Sequence, residues 1–194
     1  MYREEAFQLM CEYTQSESLR KHMQAVEIAM RAYARKLGED EEKWGIVGLL
    51  HDFDYERWPN LPDHPMQGSA ILESKGYSEE VRYAIKSHCA EATGCPRRSA
   101  LDKALFACDE LSGFIVAAAY VRPEGIHGMQ ASSITKKMKQ KAFAASVSRD
   151  DITNGASEFG VELNDHIQFL IDALSQHSEL LGIGGKARSN PTTD

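Results

Sequence analysis

Apolar residues recur at helical spacing along this chain, and no segment sustains the period-two alternation of a half-buried strand. That pattern predicts an all-α fold, a compact multi-helix bundle. A first helix is predicted over 3–13. A second starts near Ser16, carries Leu19, His22, Val26, Met30 and Tyr33 on one face, and ends at Gly38, a plausible C-cap. Asp40-Glu41-Glu42 opens a third, since acidic residues suit the positive end of a helix dipole. It contains the apolar run Ile46-Val47-Gly48-Leu49-Leu50 and ends near His51-Asp52. Residues 53–63 hold Pro59 and Pro62 and read as a loop. A helix over 65–75 stops at Gly76, and Ser78 caps the next, with Val81, Ala84, Ile85 and His88 on one face. After a loop over 90–98, Ser99 and Asp102 form a capping box for a long helix over 100–121. Pro123, Gly125 and Gly128 break the chain before helices over 133–147, 150–159 and 164–181. Residues 182–194 have almost nothing to bury and are expected to form a disordered tail.

With 194 residues, 42% of them hydrophobic, the chain can bury a real core, and a single helical domain over 1–181 is expected. A formal net charge of −7 argues against generic binding to nucleic acid or to anionic membranes, which needs a basic face. It leaves room for a local basic pocket. Cys11, Cys89, Cys95 and Cys108 form no CxxC pair, so reduced thiols are expected. Cys89 and Cys95 flank a stretch beside His88, but no second pair completes a zinc knuckle. The charged start Met1-Tyr2-Arg3-Glu4-Glu5 lacks the apolar stretch of a secretion signal. The longest apolar run, 114–121, is far too short to cross a membrane. The expectation is a cytoplasmic protein with no membrane partner, monomeric or homodimeric.

His51 and Asp52 end an apolar run, and other groups of metal-ligand type occupy apolar helical contexts: His22, His64, His88 and Asp109. Taken singly, each admits an ordinary role. His22 shares a face with Leu19 and Val26 and could be a satisfied core histidine; His88 could be another. His64, before Pro65, could be a surface cap. Asp109, three and four residues from Phe106 and Leu105, faces inward, and a buried carboxylate needs a cation, a hydrogen-bond network or a proton. Taken together, so many polar groups in one core are better satisfied by a shared metal centre. Neutral imidazole and carboxylate suit first-row divalent metals, and six such groups suffice for two ions. His127, His166 and His177 carry no such signal.

The order His22 in Leu-Arg-Lys-His-Met, Leu49-Leu50-His51-Asp52, His64-Pro65-Met66-Gln67-Gly68, Ala84-Ile85-Lys86-Ser87-His88 and Ala107-Cys108-Asp109 resembles the HD-domain superfamily of metal-dependent phosphohydrolases. The resemblance covers about 19–113, with a helical extension over 130–181 beyond it. The extra histidines resemble the two-metal branch, including its HDIG-type members. The resemblance implies that His22, His51, Asp52 and Asp109 are primary metal ligands. It implies that Asp52 bridges two metals as the catalytic carboxylate, and that His64 and His88 bind the second. Two positions depart from the pattern. Tyr55 stands where many HDIG-type members have a lysine, and Ser87-His88 stands where some have a double histidine.

The implied chemistry is attack of a metal-activated hydroxide on a small phosphorylated substrate, a nucleotide or another phosphoester. One or two divalent ions are expected, among Fe, Mn, Zn, Ni, Co and Mg. Positive charge for the phosphate is sought in Lys137, Lys141 and Arg149, beyond the family core; an ordinary solvated basic face is the competing reading. Two other classes stay open: a di-iron oxygenase of the same superfamily, and a non-catalytic ligand-binding or regulatory domain.

Overall fold

The computed structural model describes residues 2–185. Among them the chain forms eleven helices and no strand, as the periodicity implied. In order these are α1 (Arg3–Tyr13), α2 (Glu17–Leu37), α3 (Glu41–Leu50), α4 (Asp63–Ser74), α5 (Glu79–His88), α6 (Ala90–Thr93), α7 (Ala100–Tyr120), α8 (Ala131–Met138), α9 (Arg149–Phe159), α10 (Leu163–Ser175) and α11 (Ser178–Leu181).

The predicted stop and start signals act locally. Ser16, Asp40 and Ser78 each accept a hydrogen bond from the backbone N–H three residues on, filling an orphan donor at the helix start. Ser99 and Asp102 form the expected reciprocal capping box on α7. Gly38 closes α2 at φ 74°, a conformation that costs a residue with a Cβ.

The two longest helices, α2 and α7, organise the bundle. α2 packs most extensively on α3 and also on α7; α7 packs on α9 and α5. Val26, Met30, Leu49, Leu105 and Phe114 are fully buried between them. α3 approaches α2 unusually closely at Gly48. A Cβ there would lie 2.9 Å from both the Val26 carbonyl oxygen and the Glu27 nitrogen. This contact seats the end of α3, with His51, against α2 about one turn beyond His22.

Several expectations need correction. The loop over 90–98 contains the one-turn helix α6, closed by Gly94 at φ 67°. The helix expected over 133–147 runs only over Ala131–Met138 and gives way to turns over 140–147. The last helix breaks into α10 and α11. The start of the expected disordered tail is ordered: Ile183 is buried, and its carbonyl accepts the Ile126 N–H at 2.9 Å. The Ile183 side chain and the backbone bonds on both sides of it, including its own N–H to the Ser178 carbonyl at 2.8 Å, anchor this short segment. Residues 186–194 lie outside the described residues. No helix among the described residues is long and apolar enough to cross a membrane.

Candidate metal centre

Five segments bring the six sequence candidates together. His22 comes from α2 and Asp109 from α7; His51 caps α3 and Asp52 follows it. His88 is the last residue of α5. His64 sits at a kink inside α4, with extended backbone (φ −77°, ψ 130°). His51, His64 and His88 are buried, and Asp52 and Asp109 are only partly exposed.

The groups divide into two pockets. In the first, His22 Nε2 lies 3.0 Å from Asp109 Oδ1, and His51 Nε2 lies 3.4 Å from the same oxygen. Asp52 turns Oδ2 towards this pocket, 3.4 Å from His51 Nε2 and 3.7 Å from His22 Nε2. Its other oxygen, Oδ1, faces the second pocket, 3.2 Å from His64 Nε2 and 3.6 Å from His88 Nε2. One carboxylate therefore serves both sets.

The imidazoles are held by their other nitrogens. His51 Nδ1 donates to the Gly48 carbonyl at 2.8 Å, and His88 Nδ1 donates to the Ile85 carbonyl. His64 Nδ1 pairs with Asp54 Oδ1 at 2.7 Å. A carbonyl can only accept, so Nδ1 of His51 and His88 carries the proton, and in the neutral ring Nε2 presents a bare lone pair. Yet the Nε2 atoms of His22 and His51 lie 3.3 Å apart, as do those of His64 and His88. Facing lone pairs at that distance repel unless a proton or a cation lies among them.

In the metal-free chain, protons take this role. Burial opposes charge on His51, but the Asp52 and Asp109 carboxylates outweigh it and hold its pKa well above the ordinary value. Burial is likewise outweighed at His64 and His88, where hydrogen bonding to Asp52 lifts the pKa to about 12 and about 10. Asp52 and Asp109 are held below the usual carboxylate range against burial, chiefly by His51. Buried imidazoles with fixed rings, converging with carboxylates, fit a first-row divalent metal better than a bundle of trapped protons.

Three further residues lie near the pockets: Asp54 and Glu110, not singled out in the sequence, and Cys89, weighed there only for a zinc knuckle. Asp54 is fully buried; besides holding His64, it accepts the Gly68 N–H at 2.7 Å. It sets the ring orientation of a candidate ligand, and its only sequence signal is its place two residues after Asp52. Cys89 offers a sulfur that lies, with donor nitrogens of His64 and His88, in a group of atoms all within 4.8 Å of one another. Burial raises its pKa, but hydrogen bonding to the two histidines lowers it overall to about 7. Glu110 follows Asp109 and accepts the Ser148 N–H at 3.2 Å, tying the start of α9 to the rim of the first pocket.

Tyr55, at the departing position, stands edge-on to the His64 ring with centroids 5.3 Å apart. His166, expected to be unremarkable, is buried: it accepts from the Tyr33 hydroxyl at 2.6 Å and donates to the Ala107 carbonyl at 2.9 Å. That role is structural, joining α10 to α2 and α7.

The expected phosphate-binding residues fare differently. The Arg149 guanidinium donates to the carbonyls of Ala144, Val147 and Phe143. It staples the turns that replace the end of the expected helix, so both of its terminal nitrogens are engaged by backbone carbonyls. Lys137 lies over the Phe143 ring, 4.3 Å from its centroid, and Phe143 in turn packs on Phe114 of α7. Lys141 is exposed. None of the three forms an ion pair with the six clustered residues.

A comparison with curated proteins found no match. Residues 19–113 match the HD domain family, a span that contains all six clustered residues and runs from α2 into α7. With this match over the segment that builds the centre, residues 19–113 form an HD domain, the unit that defines a superfamily of metal-dependent phosphohydrolases.

Proposed function

We propose that the chain is a two-metal hydrolase of small phosphorylated molecules, with His22, His51, Asp52 and Asp109 holding one ion and His64, His88 and Asp52 the other. The observation that carries this reading is the division of Asp52, whose two oxygens face separate imidazole pairs. Divalent ions bound there would lower the pKa of a nearby water towards neutrality and stabilise negative charge on a phosphoryl oxygen.

The chain's own residues supply the rest. Asp52 fixes the spacing between the two donor sets. The Gly48 and Ile85 carbonyls and Asp54 lock the imidazoles with Nε2 inward, so little reorganisation is needed. Two carboxylates facing two dications leave a net positive centre, which attracts a phosphate even on an acidic protein. Lys137 and Lys141 remain the candidates for a further phosphate contact, while Arg149 is assigned to the fold. In this reading residues 1–181 are one domain, with the core at 19–113 and the C-terminal helices as its support.

The test is a screen of phosphoesters and nucleotides with metal-loaded protein under anaerobic conditions. Release of phosphate or of a dephosphorylated product, lost in Asp52→Ala, supports the proposal. Turnover that requires oxygen would replace it with the di-iron oxygenase reading. No turnover of any phosphorylated compound by the loaded protein would remove the hydrolase assignment.

A further inference from the structure

The pocket between His64 and His88 contains a third protein donor, Cys89. The chain leaves helical geometry at this residue (φ −105°, ψ 47°). The thiol is half-buried and free of any disulfide. Its sulfur and the nitrogen donors of His64 and His88 form one of two groups, among the described residues, whose spacing could hold a metal. The second nitrogen of each imidazole is already engaged, His64 with Asp54 and His88 with Ile85. The two rings can therefore offer only Nε2, and they offer it beside the sulfur. Cys95, the nearest cysteine in sequence, is turned to the Thr93 carbonyl with its sulfur 3.8 Å away.

Sulfur changes what such a pocket prefers. Magnesium and calcium take oxygen donors, whereas thiolate with imidazole favours zinc, iron or cobalt. The other group of possible donors, His22, His51 and Asp52, contains nitrogen and oxygen alone. The two pockets thus differ in softness although they share Asp52.

We propose that Cys89 ligates the second metal through its thiolate, so that His64, His88, Cys89 and Asp52 form a mixed sulfur, nitrogen and oxygen site selective for a thiophilic ion. The thiol gives its proton to solvent as the sulfur–metal bond forms, with no change of oxidation state. This inference rests on the two-metal reading above and adds the identity of a ligand to it.

Cobalt(II), added to the metal-free full chain, is the probe, because cobalt–thiolate bonds give a near-ultraviolet charge-transfer band that imidazole and carboxylate do not. The expected result is such a band in the wild type, absent in Cys89→Ser and Cys89→Ala and retained in Cys95→Ser, with helix content checked by circular dichroism. In parallel, Cys89→Ser should weaken one of two zinc equivalents by at least about tenfold, since even residues that merely orient ligands carry that much. Binding of two cobalt ions without the band, or a band that survives Cys89→Ser, overturns the ligand assignment and leaves the metal centre standing. Failure of the wild type to bind cobalt at all removes the centre itself, and the ligand with it.

Discussion

Replacing Asp54 with asparagine separates the orientation of a ligand from the ligand itself. The carboxylate accepts two hydrogen bonds in full burial, from His64 Nδ1 and from the Gly68 N–H, each at 2.7 Å. An asparagine amide has one accepting end. If its oxygen keeps the Gly68 N–H, its NH2 faces His64 Nδ1; the imidazole proton must then move to Nε2 and cover the lone pair meant for the metal. If its oxygen keeps His64, two donors meet at Gly68, and a buried unsatisfied donor costs about 1–3 kcal/mol. Loss of a partner that orients a metal-bound histidine typically costs 10–100-fold in affinity, about 1.4–2.7 kcal/mol. The expected outcome is that one of two metal equivalents weakens by about 10–100-fold, while the equivalent at His22, His51 and Asp109 keeps its affinity. Gly68→Ala should reproduce this from another residue, because a Cβ there would lie 2.7 Å from Asp54 Cγ and must displace the carboxylate. Competition with a calibrated chelator reads both equivalents. Unchanged affinity of both, in a folded Asp54→Asn protein, would refute the orientation argument.

Other outcomes follow from the same geometry. The folded pKa values of His64 (about 12) and His88 (about 10) lie above the ordinary 6.5, so in metal-free protein their ionic contribution is full below pH 6.5 and is lost as the pH rises through those values. The melting temperature of metal-free protein should therefore fall between pH 6.5 and 10; a rise over that range contradicts the charge assignment. Metal must displace these protons, so calorimetry in buffers of different ionisation enthalpy should show net proton release on binding near neutral pH, and none if the imidazoles are already neutral. Gly48→Ala places a Cβ 2.9 Å from α2 backbone and should destabilise the fold by about 1–3 kcal/mol while loosening the first pocket; a neutral effect on denaturant midpoint and metal affinity would show that α3 has room to move. His166→Phe leaves the Tyr33 hydroxyl and the Ala107 carbonyl without this partner and should cost about 1–3 kcal/mol for each group left unpaired, with metal content unchanged; loss of metal instead would place His166 in the centre.

The fold class and the cluster were legible for physical reasons. Apolar spacing marks helices, and Ser16, Asp40, Ser78 and Ser99 cap them through bonds to their own neighbours, so these starts depend on short-range sequence. The six clustered residues were readable because polar groups in apolar helical contexts demand compensation. What escaped depends on long-range contact. Arg149 is a free cation in the sequence, and only the folded turns show its guanidinium filled by carbonyls. Ile183 follows a glycine in a segment of little apolar content, and only the packing against Ile126 reveals an anchor. Asp54 and Cys89 each sit within two residues of a motif residue, but their roles require His64 to arrive from α4.

The central claim is that one carboxylate holds two ions together. Elemental analysis of protein purified without chelator, for the wild type and for Asp52→Ala of matching helix content, tests it most directly. The account predicts about two divalent metals per chain in the wild type, as expected of a two-metal site, and a marked loss of both in Asp52→Ala, because its two oxygens face separate pockets. A wild type that binds no metal, or an Asp52→Ala protein that keeps both ions, would contradict it.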